Sequence, residues 1–104
     1  MGEADQRPVV VYVEDDADTF KIAAARLQSR YRLVWAQNDR EAVDLLAFHA
    51  HELYAVLMDI ELRGSELDGL DLVRLLRGLP LPRPVPVFAK KLPKLTKTPI
   101  IMLT

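Results

Sequence analysis

The chain has 104 residues, half of them apolar, and a net charge of −1, which is the composition of one soluble globular domain. It contains no cysteine, so disulfides, thiolate metal sites and a cysteine nucleophile are excluded. No apolar run approaches the ~20 residues of a membrane span, and the polar start is not a signal peptide, so we expect a cytoplasmic protein.

The chain begins with a predicted strand and a predicted helix. The β-branched run Val9–Val13 is typical of a buried strand, and it stops abruptly on the acidic run Glu14–Asp16. Asp16 or Asp18 can cap the following helix, because an aspartate side chain accepts hydrogen bonds from the free amides at a helix start. The inward side of this helix is predicted from four apolar residues at helical spacing: Phe20, Ala23, Ala24 and Leu27.

A shorter strand and a second helix follow. Leu33–Ala36 predicts the strand, and Asn38 or Asp39 is predicted to cap the helix. Both histidines, His49 and His51, lie on or after this helix and away from the acidic run, so zinc is not expected. The inward stripe of the helix is predicted to be Ala42, Leu45, Leu46 and His49.

The third strand ends on a carboxylate. The run Ala55–Met58 is apolar on both faces, as in a central parallel strand, and Asp59 follows it. Ligands of open α/β sheets bind outside the carboxyl ends of the strands, so Asp59 is the first candidate for chemistry. The alternative is that Asp59 only starts the next loop. Asp68 and Gly69 then introduce a third helix, which Gly78 is predicted to end.

Residues 79–97 form a proline-rich, basic segment. They contain five of the seven prolines, and every acidic residue of the chain precedes them. Prolines break helices and central strands, so we expect a partly disordered loop, with a specific interaction arm as the alternative. Basic residues can meet an anionic partner, but nucleic acid is not expected without interleaved aromatic residues or a docking helix. A fourth strand follows at Pro99–Thr104.

Four strands alternating with three helices predict right-handed βαβ units and a mainly parallel sheet. The carboxyl ends of the strands then share one edge, where Glu14, Asp15, Asp59 and Thr104 would meet. Crowded carboxylates repel one another unless a cation neutralises them, and Mg²⁺ prefers such oxygen ligands. A carboxylate beside Mg²⁺ can act as a nucleophile towards phosphorus. The Thr104 hydroxyl could bind a phosphoryl oxygen, or it could reflect strand propensity alone.

Four motifs occur along the chain in this order: Val13–Asp16, Leu57–Ile60, Leu67–Leu70 and Pro99–Thr104. Together they resemble the receiver domain of two-component response regulators. The resemblance covers residues 8–104. It implies an α/β, flavodoxin-like three-layer fold with a mainly parallel sheet, of which the chain contains four of the five strands.

The resemblance also implies a function. Asp59 would accept a phosphoryl group from a sensor histidine kinase or a phosphotransfer protein. Mg²⁺ would be bound by Asp15, Asp59 and the backbone carbonyl of Glu61, with Glu14 acting through water. Thr104 would be the switch residue, whose hydroxyl turns towards the phosphoryl group. Such a domain accepts a phosphoryl group and at most loses it slowly, so an enzyme is not expected.

The sequence departs from the family pattern in three places. The loop after Asp59 is longer and lacks the usual proline, residues 79–97 are inserted, and the fifth strand with its terminal lysine is absent, as is the fifth helix. Pro99–Thr104 would then be an exposed apolar edge. We therefore expect a truncated form, a cleaved fragment, or a product whose edge pairs with a second copy.

Two other functions compete with the phosphoacceptor hypothesis. The missing lysine and the inserted segment are compatible with a pseudo-receiver that binds proteins independently of phosphorylation. A phosphohydrolase that forms an aspartyl phosphate is disfavoured, because the sequence shows no substrate pocket and no general acid beyond Glu61. The intact acidic trio of Glu14, Asp15 and Asp59 favours the phosphoacceptor.

Overall fold

The structure is a computed structural model that describes residues 4–103. These residues form four β-strands, three α-helices and one 3-10 helix. The strands and helices alternate along the chain as predicted. In chain order they are β1 (Val9–Val13), α1 (Ala17–Leu27), β2 (Arg32–Ala36), α2 (Asp39–His49), β3 (Leu53–Asp59), α3 (Gly69–Leu76), the 3-10 helix (Val87–Lys91) and β4 (Ile100–Leu103).

All strand pairs are parallel, and the strand order is β2-β1-β3-β4. The predicted α/β fold with a parallel sheet is therefore confirmed. The central strand β1 is buried along its whole length. Its last residue, Val13, pairs with Ala36 on one side and Met58 on the other, so the carboxyl ends of three strands lie level at one edge.

One side of the sheet carries the main core. Side chains alternate across a strand, and one set, which includes Val11, Val56 and Met58, faces α2 and α3 in a continuous buried cluster. Leu46 of α2 and Leu72 of α3 are fully buried in it. Burial of such side chains is worth about 1.5–3 kcal/mol each, so this side provides most of the apolar stabilisation.

The other side of the sheet is thinly covered by α1. The predicted stripe of α1, which includes Phe20 and Leu27, does face the sheet, but every residue of this helix keeps some exposed surface. An apolar groove of about 210 Å³ lies beside it. Tyr54 on this side is 55% exposed and Ile101 is 50% exposed.

The helix ends have the predicted chemistry. Asp16, Asn38 and Asp68 cap α1, α2 and α3, and each side chain accepts a hydrogen bond from a backbone amide three residues later. Gly78 follows α3 with a φ of 75°, a left-handed conformation that glycine adopts without steric cost.

The proline-rich segment 79–97 is packed, so the expectation of a partly disordered loop is wrong. Ala89 of the 3-10 helix and Leu95 are buried in the main core. The Leu95 amide donates to the Leu76 carbonyl at 2.6 Å, and Arg77 Nη1 donates to the Leu95 carbonyl at 2.8 Å. Prolines prevented a long helix or strand, but the apolar residues between them still anchor the segment.

Ion pairs and a cation–π contact fasten the same segment to α2 and α3. Lys91 pairs with Asp44 of α2, and Arg83 pairs with Asp71 of α3. The guanidinium of Arg40 lies over the Phe88 ring, 4.2 Å from its centroid. The segment thus forms an outer layer on the core side of the sheet.

The longest helices described, α1 and α2, have 11 residues each. Within residues 4–103, no helix combines the length and hydropathy needed to cross a membrane.

Candidate functional site

Three carboxylates meet at the carboxyl edge of the sheet. Glu14 and Asp15 directly follow β1, and Asp59 is the last residue of β3. Because β1 and β3 are adjacent and level at this edge, their side chains converge. Each of the three offers one carboxylate oxygen, and these oxygens all lie within 4.8 Å of one another. The sequence prediction that these residues come together is met.

Glu14 is the buried member of the trio, with 6% of its surface exposed. Burial, and to a smaller extent the hydrogen bond with Asp59, together raise the pKa of its carboxyl from 4.5 to about 7. Near neutral pH, the Glu14 carboxyl is therefore only partly ionised, and a cation that stabilises its charged form would bind favourably.

Asp15 is neutralised by a residue of the chain itself. Its Oδ2 accepts hydrogen bonds from the backbone amide of Arg63 at 3.0 Å and from Arg63 Nε at 2.8 Å. The hydrogen bond from the Arg63 side chain, and to a smaller extent the one from its backbone amide, lower the pKa of the Asp15 carboxyl. A charge-assisted hydrogen bond thus crosses from the loop after β3 to the loop after β1.

That loop, residues 60–68, is held by Asp39 at the start of α2. Oδ2 of Asp39 accepts from the amides of Glu66 at 2.9 Å and Leu67 at 3.0 Å. The Asp39 amide in turn donates to Ser65 Oγ at 3.0 Å. Leu62 and Leu67 of the loop are buried. The loop is therefore anchored on both sides of Arg63.

Gly69 allows α3 to start directly against the end of β3. Its amide donates to the Ile60 carbonyl at 2.8 Å. A Cβ at this position would lie 2.0 Å from the backbone oxygen of Asp59, which no side chain can tolerate. Asp68 and Asp71 complete a capping box at the same helix start. The backbone of Asp59 is thus fixed by close packing.

An aromatic group supports the other side of the site. Trp35 Nε1 donates to the Glu14 carbonyl at 2.7 Å. The Trp35 ring stacks on Phe20, with 4.5 Å between centroids and an interplanar angle of 4°. The single tryptophan of the chain is therefore bonded directly to the acidic loop.

The sequence also singled out Glu61, Thr104 and His49. Glu61 is exposed and lines a cleft of about 650 Å³ together with the acidic trio. Thr104 lies outside the described residues. His49 is buried in α2, where its Nδ1 lies 2.9 Å from Glu52 Oε2, and so it faces the core, away from the acidic edge.

The sequence patterns do not identify Arg63 or Ser65, nor the role of Asp39 in holding the loop 60–68. Asp39 was considered only as a helix cap, although Asn38 takes that role. The length of the loop was a signal that extra anchoring would be needed. The residues that provide this anchoring contact partners 26 to 48 positions away in the sequence. Local patterns do not contain that information.

The donor set of the trio fits a hard divalent cation. The three side chains all offer carboxylate oxygens, and the backbone carbonyl of Glu61 follows two residues after Asp59. The cleft is open to solvent, which leaves room for the waters that Mg²⁺ retains in its coordination shell.

Comparison with known proteins identifies a fold. No protein-family profile matches the sequence, and no curated protein matches it. Among solved structures, the chain is similar to a bacteriophytochrome response regulator, AtBRR, with a TM-score of 0.62 and 21% sequence identity. The match covers 94% of this chain and 66% of that one. The chain therefore has the flavodoxin-like fold of a response-regulator receiver, as the motifs predicted.

Proposed function

We propose that this chain, which has the receiver fold, is a phosphoacceptor signalling domain modified on Asp59. The observation that carries the proposal is the position of Asp59 at the end of β3, with carboxylate oxygens of Glu14 and Asp15 within 4.8 Å. The donor would be a sensor histidine kinase or a phosphotransfer protein. A cytoplasmic location, predicted from the sequence, is part of the same proposal.

The proposed step is an in-line displacement at phosphorus. A carboxylate oxygen of Asp59 forms the new O–P bond, and the bond from phosphorus to the donor's imidazole nitrogen breaks, with the electron pair leaving on that nitrogen. Beyond the attack by Asp59 itself, the chain contributes mainly positioning. The close contact of Gly69 with the Asp59 carbonyl supplies this positioning.

Mg²⁺ is the proposed cofactor, with Asp15, Asp59 and the Glu61 carbonyl as ligands and Glu14 acting through water. When bound, the ion would supply positive charge that offsets the charge of the transferred group. Glu14 and Asp15 contribute by keeping the site selective for cations. As a phosphoacceptor, the chain would itself be modified and would at most lose the phosphoryl group slowly, so we do not propose an enzyme.

One observation favours the alternative, a pseudo-receiver that binds proteins independently of phosphorylation. Arg63 already neutralises Asp15, so part of the site is balanced by the chain's own charge. The two functions differ in whether Asp59 reacts, and this is measurable.

The test is to incubate the protein with Mg²⁺ and a small acyl phosphate and to measure its intact mass. We expect one added phosphoryl group on the wild type and none on Asp59→Asn. The matched control is Asp18→Asn, since Asp18 is an exposed aspartate on α1, and it should be modified like the wild type. Modification of Asp59→Asn, or of none of the three proteins, would contradict the phosphoacceptor function.

We also propose that β4 pairs with a second copy of the chain. Among residues 4–103, β4 is paired only with β3, so its other edge carries open backbone groups. Sedimentation at increasing protein concentration should show a dimer that Ile101→Lys weakens. A monomer at all concentrations would contradict this pairing.

A further inference from the structure

Arg63 holds Asp15 with two hydrogen bonds to one oxygen, from its backbone amide and from Nε. The Asp15 side chain is only 11% exposed, whereas the Arg63 side chain is 79% exposed. The guanidinium thus covers the carboxylate while remaining mostly in water. An ion pair with one member this exposed is weak because water screens it, so the Arg63 side chain can leave at low cost.

The loop would not have to move when the Arg63 side chain leaves. Asp39 binds the loop at Glu66 and Leu67, and the side chain of Leu62 is buried on the other side of Arg63. The backbone amide of Arg63 can therefore stay on Asp15 while the guanidinium rotates away. Two open clefts adjoin at Arg63, so the displaced side chain has room in solvent.

Resting on the function proposed above, we propose that Arg63 is an internal counter-ion that competes with a divalent cation for Asp15 and so sets the concentration of cation that the site requires. Both Arg63 groups use the same oxygen of Asp15. A cation that takes this oxygen as a ligand must displace the Nε hydrogen bond and must overcome the repulsion of the guanidinium. The affinity for the cation is therefore lower than that of the three carboxylates alone.

Arg40 provides a matched control. It lines one of the two clefts together with Asp15 and Arg63, but its guanidinium lies over Phe88. Removal of Arg40 changes the net charge by the same amount as removal of Arg63 and leaves the bonds to Asp15 in place. A general effect of positive charge would appear in both variants, whereas competition at Asp15 would appear only in the Arg63 variant.

The experiment is a calorimetric titration of the wild type, Arg63→Gln and Arg40→Gln with Mg²⁺, in metal-free buffer at moderate salt. We expect Arg63→Gln to bind Mg²⁺ about 1.5- to 5-fold more tightly, the affinity ratio that corresponds to a solvent-exposed ion pair. Arg40→Gln should bind like the wild type. Trp35, bonded to the Glu14 carbonyl, offers a second readout through its fluorescence.

Each outcome has a distinct meaning. Equal affinity of the wild type and Arg63→Gln, or equal tightening in both variants, would overturn the competition at Asp15 and leave the phosphoacceptor proposal standing. Absence of Mg²⁺ binding in all three proteins would instead overturn the metal site of the proposed function, and this inference with it. Thermal unfolding of each variant checks that the substitution leaves the fold intact.

Discussion

The two sides of the sheet are covered to very different degrees. On one side, α2, α3 and the segment 79–97 enclose a continuous core in which Leu46 and Leu72 are fully buried. On the other side, α1 leaves an apolar groove, and Tyr54 and Ile101 are about half exposed. The α2/α3 side therefore provides most of the apolar stabilisation and the close packing that fixes Asp59. The acidic trio lies at the edge where the two sides meet.

The largest expected effect is on the free energy of unfolding, and it tests the difference in burial between the two sides of the sheet. Leu46→Ala should lower the free energy of unfolding by about 2–5 kcal/mol, because it leaves a cavity in a closely packed core. Leu27→Ala on α1 should cost about 1 kcal/mol or less, since that side chain is already partly in water. Urea denaturation measures both. Equal losses would mean that the two sides contribute equally.

A second substitution tests how the α2/α3 side positions Asp59. In Gly69→Ala, the new Cβ meets the Asp59 carbonyl, so α3 must shift, at a cost of about 1–3 kcal/mol. Gly64→Ala is the control, because its Cβ would enter open space and only the left-handed φ of 75° costs about 1 kcal/mol. Amide NMR shifts near Asp59 should change only in Gly69→Ala. If Gly64→Ala perturbs them equally, the close contact is not what positions Asp59.

The third prediction concerns pH at the edge between the two sides. The pKa of Glu14 is raised from 4.5 to about 7 in the folded protein by burial and by Asp59, so between these values the folded state binds more protons than the unfolded state. This contribution to stability is complete below pH 4.5 and is lost as the pH rises through about 7. Without divalent cations, we expect a loss of about 2–3 kcal/mol over this range.

The measurement is urea denaturation in chelator at a series of pH values, for the wild type and Glu14→Gln. Glutamine does not titrate, so the variant should lack this part of the pH dependence. The same slope in both proteins would show that Glu14 does not have a raised pKa.

The smallest expected effect concerns the outer layer of the α2/α3 side. Arg77→Gln removes the hydrogen bond to the Leu95 carbonyl and should cost about 1 kcal/mol or less. The neighbouring amide of Leu95 should then exchange its hydrogen several-fold faster, as seen by hydrogen-exchange mass spectrometry. Arg74→Gln, at an exposed position on α3, should leave this exchange unchanged. Fast exchange of the Leu95 amide in the wild type would contradict the packing of segment 79–97 against the core.

The elements of the fold were predictable because they rest on local patterns. The β-branched run of β1 and the helical spacing in α1 and α2 each specify one conformation over a few residues. The caps at Asp16, Asn38 and Asp68 follow from the same local chemistry. The segment 79–97 was not predictable in this way, because its order depends on the core that receives Ala89 and Leu95.

The alternation of strands and helices in the sequence predicts that Glu14, Asp15 and Asp59 share one edge of the sheet, and the structure shows that β1 and β3, which carry them, are adjacent. Strands joined by helices in a parallel sheet must all end at the same edge, so carboxylates that follow two adjacent strands become neighbours. The group of the chain that balances their charge is set by tertiary contacts. Arg63 and Asp15 are 48 positions apart, and they are joined because Asp39 holds the intervening loop in place, a contact between distant segments that no local pattern encodes.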